Sequence, residues 1–285
     1  MGIKVCIDGV RYDEADARVS VFDRGFLYGD SVFEVMRTYG GVPFAETAHL
    51  ARLRRSAARL LIEVPVDDPT LRRDIRDTLE AADNDESYVR VVITRGRGPL
   101  NYDPTTARDP LRVVIVTPLP TQPAALYEEG VAVVCLRASR ATEDPRAAGV
   151  KASNYLSNLL AVHEARQRGG YEAILLGSQG LVLEGASSNV FVVKHGEVST
   201  PRLESGILAG ITRAAVLKAA AEAGIRVIET ALFPRDLYDA EEVFITSSLR
   251  EVVPVVTVDG QQVGDGRPGP LTRRLHAAYQ DVVAP

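Results

Sequence analysis

The first 117 residues alternate short stretches of β-type spacing with two longer stretches of helical spacing. Apolar and polar residues alternate along the short stretches, which indicates half-buried strands. Leu50, Leu53, Ala57 and Leu60 recur every three or four positions, which indicates an amphipathic helix. This order predicts a small N-terminal α+β lobe over residues 1–117. Its predicted elements are strands 4–7, 31–39, 42–44, 88–94 and 111–117 and helices 46–61 and 69–82.

A proline-rich segment follows, with prolines at positions 118, 120 and 123. Proline stiffens an extended chain and blocks both helix and central strand, so we expect an interdomain linker over 118–123. Beyond it, strand and helix patterns mix more evenly, which predicts a larger α/β lobe over 124–285. Its predicted elements are strands 131–136, 173–176, 190–193, 225–229 and 242–246 and helices at 154–168, at 212–223 and from 271.

Composition narrows the class of protein. With 46% hydrophobic and 25% charged residues the chain is globular, and its net charge of −5 argues against a nucleic-acid binder, which needs a basic face. Cys6 and Cys135 stand apart, outside any metal-ligand spacing, so we expect no metal and a reducing cytoplasm. No apolar run reaches the about 20 residues of a membrane span, so membrane partners are not expected either.

Lysine is rare in this chain and occurs only at positions 4, 151, 194 and 218. Lys4 lies in a predicted edge strand, Lys194 precedes a predicted turn and Lys218 lies in a predicted amphipathic helix. All three are therefore interpreted as surface charges. Lys151 differs because it lies at a predicted strand-to-helix junction, where side chains can face a cleft. In isolation even Lys151 would be taken as a solvated residue, and it is the neighbouring motifs that make it a candidate for chemistry.

Those motifs resemble the class IV aminotransferases, the group that includes the branched-chain and D-amino-acid aminotransferases. The core of the resemblance is Glu184-Gly-Ala-Ser-Ser-Asn189-Val-Phe191, then Val198-Ser-Thr200, then Leu208-Ala-Gly210-Ile211-Thr212-Arg213. Matches elsewhere extend it over nearly the whole chain: Asp23-Arg-Gly-Phe-Leu-Tyr28-Gly-Asp, His49-x-x-Arg52-Leu, Lys151-Ala-Ser-Asn-Tyr155 and Glu242-Val-Phe-Ile-Thr-Ser-Ser. It implies a two-lobed fold type IV enzyme with pyridoxal 5′-phosphate, homodimeric, whose larger lobe binds the cofactor.

The resemblance also assigns roles around the cofactor. Lys151 would hold it as a Schiff base and shuttle the substrate proton, and Glu184 would face the pyridine nitrogen. Tyr155, which the predicted helix places one turn after Lys151, would face the ring oxygen. For the phosphate there is also a physical argument, because Gly210 precedes a predicted helix whose first amides are free donors. The implied phosphate ligands are Arg52, Ile211, Thr212, Ser247 and Ser248.

Substrate contacts follow from the same resemblance. Tyr88-Val89-Arg90 is similar to the Tyr-x-Arg of branched-chain aminotransferases, which implies an aliphatic L-amino acid and 2-oxoglutarate as partners. Tyr88 and Arg90 should share the face of a strand that looks into the cleft. Arg90 could bind a distal carboxylate there, yet swing away or be shielded by Tyr88 when an aliphatic side chain enters. The other implied substrate contacts are Tyr28, given by the second subunit, and Phe33, Arg37 and Leu249.

Other substrate classes remain open at this point. D-amino-acid aminotransferases carry an Arg-x-His trap where this chain has Leu100-Asn-Tyr102, yet Phe33-Glu-Val35-Met-Arg37 resembles that D-specific group, since branched-chain relatives have glycine at position 35. An aminodeoxychorismate lyase would have histidine at 152 and threonine at 35, where Ala152 and Val35 stand. A binding protein without catalysis would be expected to lack Lys151 or Glu184.

Overall fold

The computed structural model describes residues 2–137 and 148–284. By their contacts these residues form two compact units, the first built from residues up to Pro120 together with Val150–Asn154, the second from Thr121–Gly149 and Tyr155–Ala284. The candidate lysine, Lys151, therefore belongs to the first unit, although the chain before Val150 and after Asn154 belongs to the second. Among the described residues no helix combines the length and hydropathy that crossing a membrane requires.

The first unit is an antiparallel sheet with two long helices. Its sheet has the order β2-β1-β6-β5-β3-β4. The helix α3 begins after Asp67, whose side chain accepts a hydrogen bond from the Thr70 amide at 3.0 Å. The elements are β1 Lys4–Ile7, β2 Val10–Asp13, α1 Arg24–Tyr28, β3 Ser31–Tyr39, β4 Val42–Pro43, α2 Glu46–Arg59, α3 Asp68–Ala82, β5 Ser87–Thr94 and β6 Arg112–Pro118.

The two faces of this sheet differ in what covers them. Alternate residues of β3, β5 and β6 pack with α2 and α3 in a buried core, whose members include Met36, Val89, Val91, Leu53 and Ile75. The opposite face carries the remaining alternate residues, which are less completely buried. On β3 and β5 these are Phe33, Val35, Arg37, Tyr88, Arg90 and Val92, paired as Phe33 with Val92, Val35 with Arg90 and Arg37 with Tyr88.

The second unit is a mixed sheet with flanking helices. Its strand order is β12-β11-β10-β13-β14-β7-β8-β9, with β15 paired to β14. Valine and isoleucine side chains of the central strands form its core. The elements are α4 Ala125–Glu128, β7 Val131–Arg137, α5 Leu156–Gln167, β8 Glu172–Leu176, β9 Val182–Gly185, β10 Asn189–Lys194, β11 Glu197–Pro201, α6 Ile211–Glu222, β12 Val227–Thr230, α7 Pro234–Tyr238, β13 Glu242–Ser247, β14 Glu251–Val258, β15 Gln261–Gln262 and α8 Pro270–Val283.

Most predicted elements occur within a residue or two of the expected bounds, and the mixed α+β class is confirmed. Several elements were missed, among them the short helices α1, α4 and α7 and the strand β9. The helix predicted at 154–168 occurs as α5, two residues shorter at its start. The lobe bounds of 1–117 and 124–285 with a linker at 118–123 stay a prediction.

Candidate active site

Lys151 lies beside strand β3 of the first unit. The Phe33 amide donates to the Lys151 carbonyl at 3.0 Å, and the Ser153 amide donates to the Ser31 carbonyl at 2.9 Å. The Lys151 amide in turn donates to Ser56 Oγ of α2 at 3.3 Å. These bonds fix the backbone of Lys151 as an extended segment against β3. The predicted spacing of Lys151 and Tyr155 by one helical turn is therefore wrong, since neither residue lies inside a helix.

Lys151 and Arg90 both contact the ring of Phe33. Lys151 Nζ lies 4.6 Å from the centroid of the Phe33 ring, and Arg90 Cζ lies 3.9 Å from the same centroid. Both distances are within the range of cation–π attraction. The guanidinium stacks on Phe33, and whether Arg90 swings away or is shielded by Tyr88 when an aliphatic side chain enters stays a prediction. The aromatic residue that sequence reasoning placed beside substrate thus contacts both candidate functional cations.

Val89 and Val91 are fully buried, as the alternation in the sequence predicted, so Tyr88 and Arg90 lie on the other face. Arg37 pairs with Tyr88 across the strands, and its guanidinium carbon lies 4.2 Å from the centroid of the Tyr39 ring. Four of the predicted substrate residues, Phe33, Arg37, Tyr88 and Arg90, therefore share one face of the first unit.

Arg52 is held on the covered face of the sheet by a buried carboxylate. Its Nε donates to Glu34 Oε1 at 2.7 Å, and its terminal nitrogen donates to Glu34 Oε2 at 2.6 Å, a two-point contact. His49 Nδ1 donates to Glu34 Oε2 at 2.7 Å. Sequence reasoning missed Glu34 and His49. The available signal was a glutamate at an inward-facing position of β3, where an unpaired charge would be costly.

The ionisation of this buried group follows from its contacts. Burial alone would raise the pKa of Glu34, but the hydrogen bonds from Arg52 and His49 outweigh it, so the pKa of this carboxyl is lowered. For His49 burial dominates and lowers the pKa, against the opposing effect of Glu34. The group is thus a carboxylate, a guanidinium and a neutral imidazole, and its charges balance.

In the second unit, Glu184 lies on β9 and its Oε2 accepts a hydrogen bond from the Leu208 amide at 3.0 Å. Asn189 Nδ2 donates to the Leu208 carbonyl at 3.0 Å, so the two side chains hold the same loop. Gly210 ends that loop, and a Cβ there would lie 1.9 Å from Asn189 Oδ1. A side chain at position 210 would therefore displace Asn189, which holds the loop directly before helix α6.

The first turn of α6 presents hydrogen-bond donors that could bind an anion. Gly210 is its N-cap, so the amides of Ile211 and Thr212 belong to the free donors of the helix start. Thr212 is 2% exposed, and its Oγ1 has no hydrogen-bond partner among the described residues. Buried hydroxyls normally have partners, so an unpaired one beside free amides is what a bound phosphate would satisfy.

The turn after β13 carries Ser247, Ser248 and Leu249. Arg250 fixes this turn: its Nε donates to Ser247 Oγ at 3.0 Å, and a terminal nitrogen donates to the buried Glu172 at 3.1 Å. The same nitrogen donates to Ser187 Oγ at 2.8 Å. Sequence reasoning missed Arg250 and Glu172, because nothing in the pattern marks two residues so distant in sequence as partners.

The two remaining predicted site residues are tyrosines. Tyr155 occupies the N-cap position of α5, in the second unit. Tyr28 ends α1 in the first unit and is 37% exposed. Its ring centroid lies 5.8 Å from that of Tyr102, and Arg24 Cζ lies 4.9 Å from the Tyr28 ring centroid. Arg24 is buried and its side chain donates to the Asn101 carbonyl at 3.0 Å, which ties α1 to the loop that carries Tyr102.

Comparison with known proteins gives consistent matches. Residues 31–258 match the family model for amino-transferase class IV. A protein of Methanocaldococcus jannaschii named provisionally as a branched-chain-amino-acid aminotransferase is 39% identical over 280 residues, 98% of this chain and 96% of that protein. The D-alanine aminotransferase of Bacillus licheniformis is 33% identical over 283 residues, 99% of this chain and 97% of that protein.

A solved structure agrees with these sequence matches. The T.th. branched-chain amino acid aminotransferase with pyridoxamine 5′-phosphate has a TM-score of 0.94 and 28% identity, covering 100% of this chain and 95% of that one. The same T.th. enzyme has been solved with 4-methylvaleric acid and with N-(5′-phosphopyridoxyl)-L-glutamate.

The chain therefore belongs to the class IV aminotransferases, as its motifs predicted. It is a transaminase that uses pyridoxal 5′-phosphate. The described residues fit this cofactor, because the unpaired Thr212 hydroxyl and the amides of the α6 N-terminus suit its phosphate. The role of Lys151 as its Schiff-base lysine stays a prediction.

Proposed function

We propose that this enzyme moves the amino group between a branched-chain L-amino acid and 2-oxoglutarate. The observation that carries the proposal is the face formed by Phe33, Val35, Tyr88, Arg90 and Val92, which combines apolar and aromatic side chains with one guanidinium. Such a face can contact an aliphatic side chain and also bind the distal carboxylate of an acidic one. The T.th. relative, solved with an aliphatic acid and with a glutamate adduct, supports the same dual use.

In this proposal the cofactor, when bound, supplies a carbonyl for the amino group and a ring that accepts electrons from substrate Cα. Lys151 Nζ would hold it covalently in the resting enzyme. When free, Nζ would remove the proton from substrate Cα and, in the second half of the cycle, would return a proton to Cα of the product. The backbone hydrogen bonds of Lys151 to Phe33 and Ser56 hold its main chain in place while the side-chain amine moves.

Each of the cofactor's other polar groups has its own proposed contact. We assign the pyridine nitrogen to Glu184, because a carboxylate there keeps that nitrogen protonated. We assign the ring oxygen to Tyr155. We assign the phosphate to Ile211 and Thr212 at the helix start and to the Arg52 guanidinium, with Ser247 and Ser248 as further donors. Tyr28, Arg37 and Leu249 complete the substrate contacts.

We also propose a homodimer. On α5, Leu156, Leu159 and Leu160 are 68%, 65% and 59% exposed on one side of the helix. On the first unit Phe26 and Tyr102 are 67% and 87% exposed. Apolar patches of this kind mark association surfaces, and a second copy would cover them and bring Tyr28 to its partner's substrate. Light scattering on the purified enzyme tests this. The cytoplasmic location expected from the unpaired cysteines stays a prediction.

The second candidate is a D-amino-acid aminotransferase, and Val35 favours it together with the match to the Bacillus licheniformis enzyme. Against it, the positions of the D-specific carboxylate trap hold Leu100 and Tyr102, which are 70% and 87% exposed, and Asn101, whose carbonyl binds Arg24. None of these three side chains carries a charge that would bind a carboxylate.

Arg90→Ala tests the proposal. If Arg90 binds the distal carboxylate, kcat/KM should fall steeply with glutamate and 2-oxoglutarate and much less with leucine, isoleucine or valine, because only the acidic partners lose a charge-assisted contact. Lys194→Ala, which removes a surface cation, serves as the control. Equal losses for acidic and aliphatic partners would remove Arg90 from the substrate site and, with it, the branched-chain assignment.

A further inference from the structure

The environment of Arg90 differs from that of the other arginines named above. Arg24, Arg52 and Arg250 all donate to carboxylates or carbonyls. Arg90 is half-buried, yet within residues 2–137 and 148–284 no hydrogen bond or ion pair reaches its guanidinium. The guanidinium instead lies on the Phe33 ring, 3.9 Å from Arg90 Cζ to the ring centroid.

The strand register explains why Phe33 can hold this guanidinium. Arg90 lies opposite Val35 and Phe33 lies opposite Val92, so the arginine and the ring are diagonal neighbours on one face of the sheet. Phe33 is 4% exposed, and its side chain carries no polar atom that could compete for the guanidinium. A planar, weakly hydrated guanidinium stacks well on such a ring. A carboxylate at the position of the ring would instead hold the guanidinium tightly.

We propose that the Phe33 ring is the resting place of Arg90 and that Phe33 thereby sets the balance between aliphatic and acidic partners; this rests on the dual-substrate function proposed above. With an aliphatic side chain bound, the guanidinium stays on the ring and its charge is stabilised without a carboxylate. With an acidic side chain bound, the guanidinium leaves the ring and donates to the distal carboxylate.

Phe33 therefore opposes acidic ligands by the strength of one cation–π contact, which corresponds to about a three- to thirtyfold change in an equilibrium constant. If the ring is removed, the guanidinium no longer has to leave it. Binding of an acidic ligand should then strengthen relative to an aliphatic one. Because the effect passes through Arg90, it should disappear when Arg90 is absent.

The test uses holoenzyme and two unreactive ligands, glutarate and 4-methylpentanoate, whose dissociation constants are read from the absorbance of the bound cofactor. Phe33→Leu and Phe33→Met remove the ring, and Phe33→Tyr keeps it. Phe233→Leu is the matched control, because Phe233 of the second unit also lies under a guanidinium, with Arg235 Cζ 5.6 Å from its ring centroid, and neither residue has a proposed role in the site. The expected result is a shift of about three- to tenfold toward glutarate in Phe33→Leu and Phe33→Met, with wild-type preference in Phe33→Tyr and Phe233→Leu.

The other outcomes distinguish a failure of the role of Phe33 from a failure of the role of Arg90. An unchanged preference in both ring-free variants, or a shift toward 4-methylpentanoate, overturns the inference, and so does a shift that persists in Phe33→Leu combined with Arg90→Ala. If Arg90→Ala alone leaves the preference between the two ligands unchanged, the proposed dual-substrate function fails, and the resting place fails with it. If Arg90→Ala changes the preference but the ring-free variants do not, only the role of Phe33 is wrong.

Discussion

Thr212→Val should stabilise the enzyme without cofactor and weaken the enzyme's hold on the cofactor. Valine reproduces the shape of threonine without the hydroxyl. Thr212 is 2% exposed and its Oγ1 has no partner among the described residues, so the hydroxyl costs free energy while the phosphate is absent. In the proposed cofactor complex, the same hydroxyl donates to the phosphate. This one substitution therefore stabilises the cofactor-free enzyme and destabilises the complex with the cofactor.

The magnitudes follow from that contact pattern. A buried, unpaired hydroxyl costs about 1–3 kcal/mol, so the cofactor-free variant should gain roughly 1 kcal/mol and melt about 2–4 °C higher. A hydrogen bond to a charged group contributes about 1.5–3 kcal/mol, so the dissociation constant of pyridoxal 5′-phosphate should rise about 10- to 100-fold.

The assay pairs thermal melting of the cofactor-free protein with titration of pyridoxal 5′-phosphate. Thr272→Val is the matched control, because Thr272 of α8 is 1% exposed and its Oγ1 is likewise unpaired in the described part of the chain. That variant should gain stability and keep its cofactor affinity. A Thr212→Val protein with unchanged cofactor affinity would refute the phosphate site at the start of α6.

Three further outcomes are expected. Lys151→Ala should abolish transamination and the visible absorbance of the covalently held cofactor while the protein stays folded, as circular dichroism can verify. Glu184→Gln should lower kcat far more than cofactor affinity, and steady-state kinetics with unchanged kcat would contradict this. The free energy of unfolding should fall as pH drops below the ordinary histidine pKa of 6.5, because burial lowers the pKa of His49 and the residue binds a proton more readily when unfolded. His49→Asn should reduce this slope in denaturant titrations at stepped pH.

The sequence was sufficient for the elements that local pattern determines. The alternation of Tyr88 and Arg90 with Val89 and Val91 correctly predicted one buried and one less buried face. The glycine before α6 predicted a helix start with free amides, and the helix begins at Ile211. Both cases depend on spacing within a few residues, which a sequence displays directly.

What the sequence could not give are contacts between distant segments. Glu34 and His49 hold Arg52, and Glu172 holds Arg250, which lies 78 positions away. The Arg90 guanidinium lies on the Phe33 ring, because the register of β3 against β5 makes these two residues diagonal neighbours. Register and tertiary pairing depend on the packed sheet, so these partners emerge only once the fold is known.

The central claim, transamination of branched-chain L-amino acids, is tested most directly by one panel of amino donors. The holoenzyme is assayed with L-leucine, L-isoleucine, L-valine, D-alanine and D-glutamate, each with 2-oxoglutarate and with pyruvate as acceptor. We expect the highest kcat/KM for the three aliphatic L-amino acids with 2-oxoglutarate. High activity with D-alanine and pyruvate, together with none for L-leucine, would contradict the claim and identify the enzyme as a D-amino-acid aminotransferase.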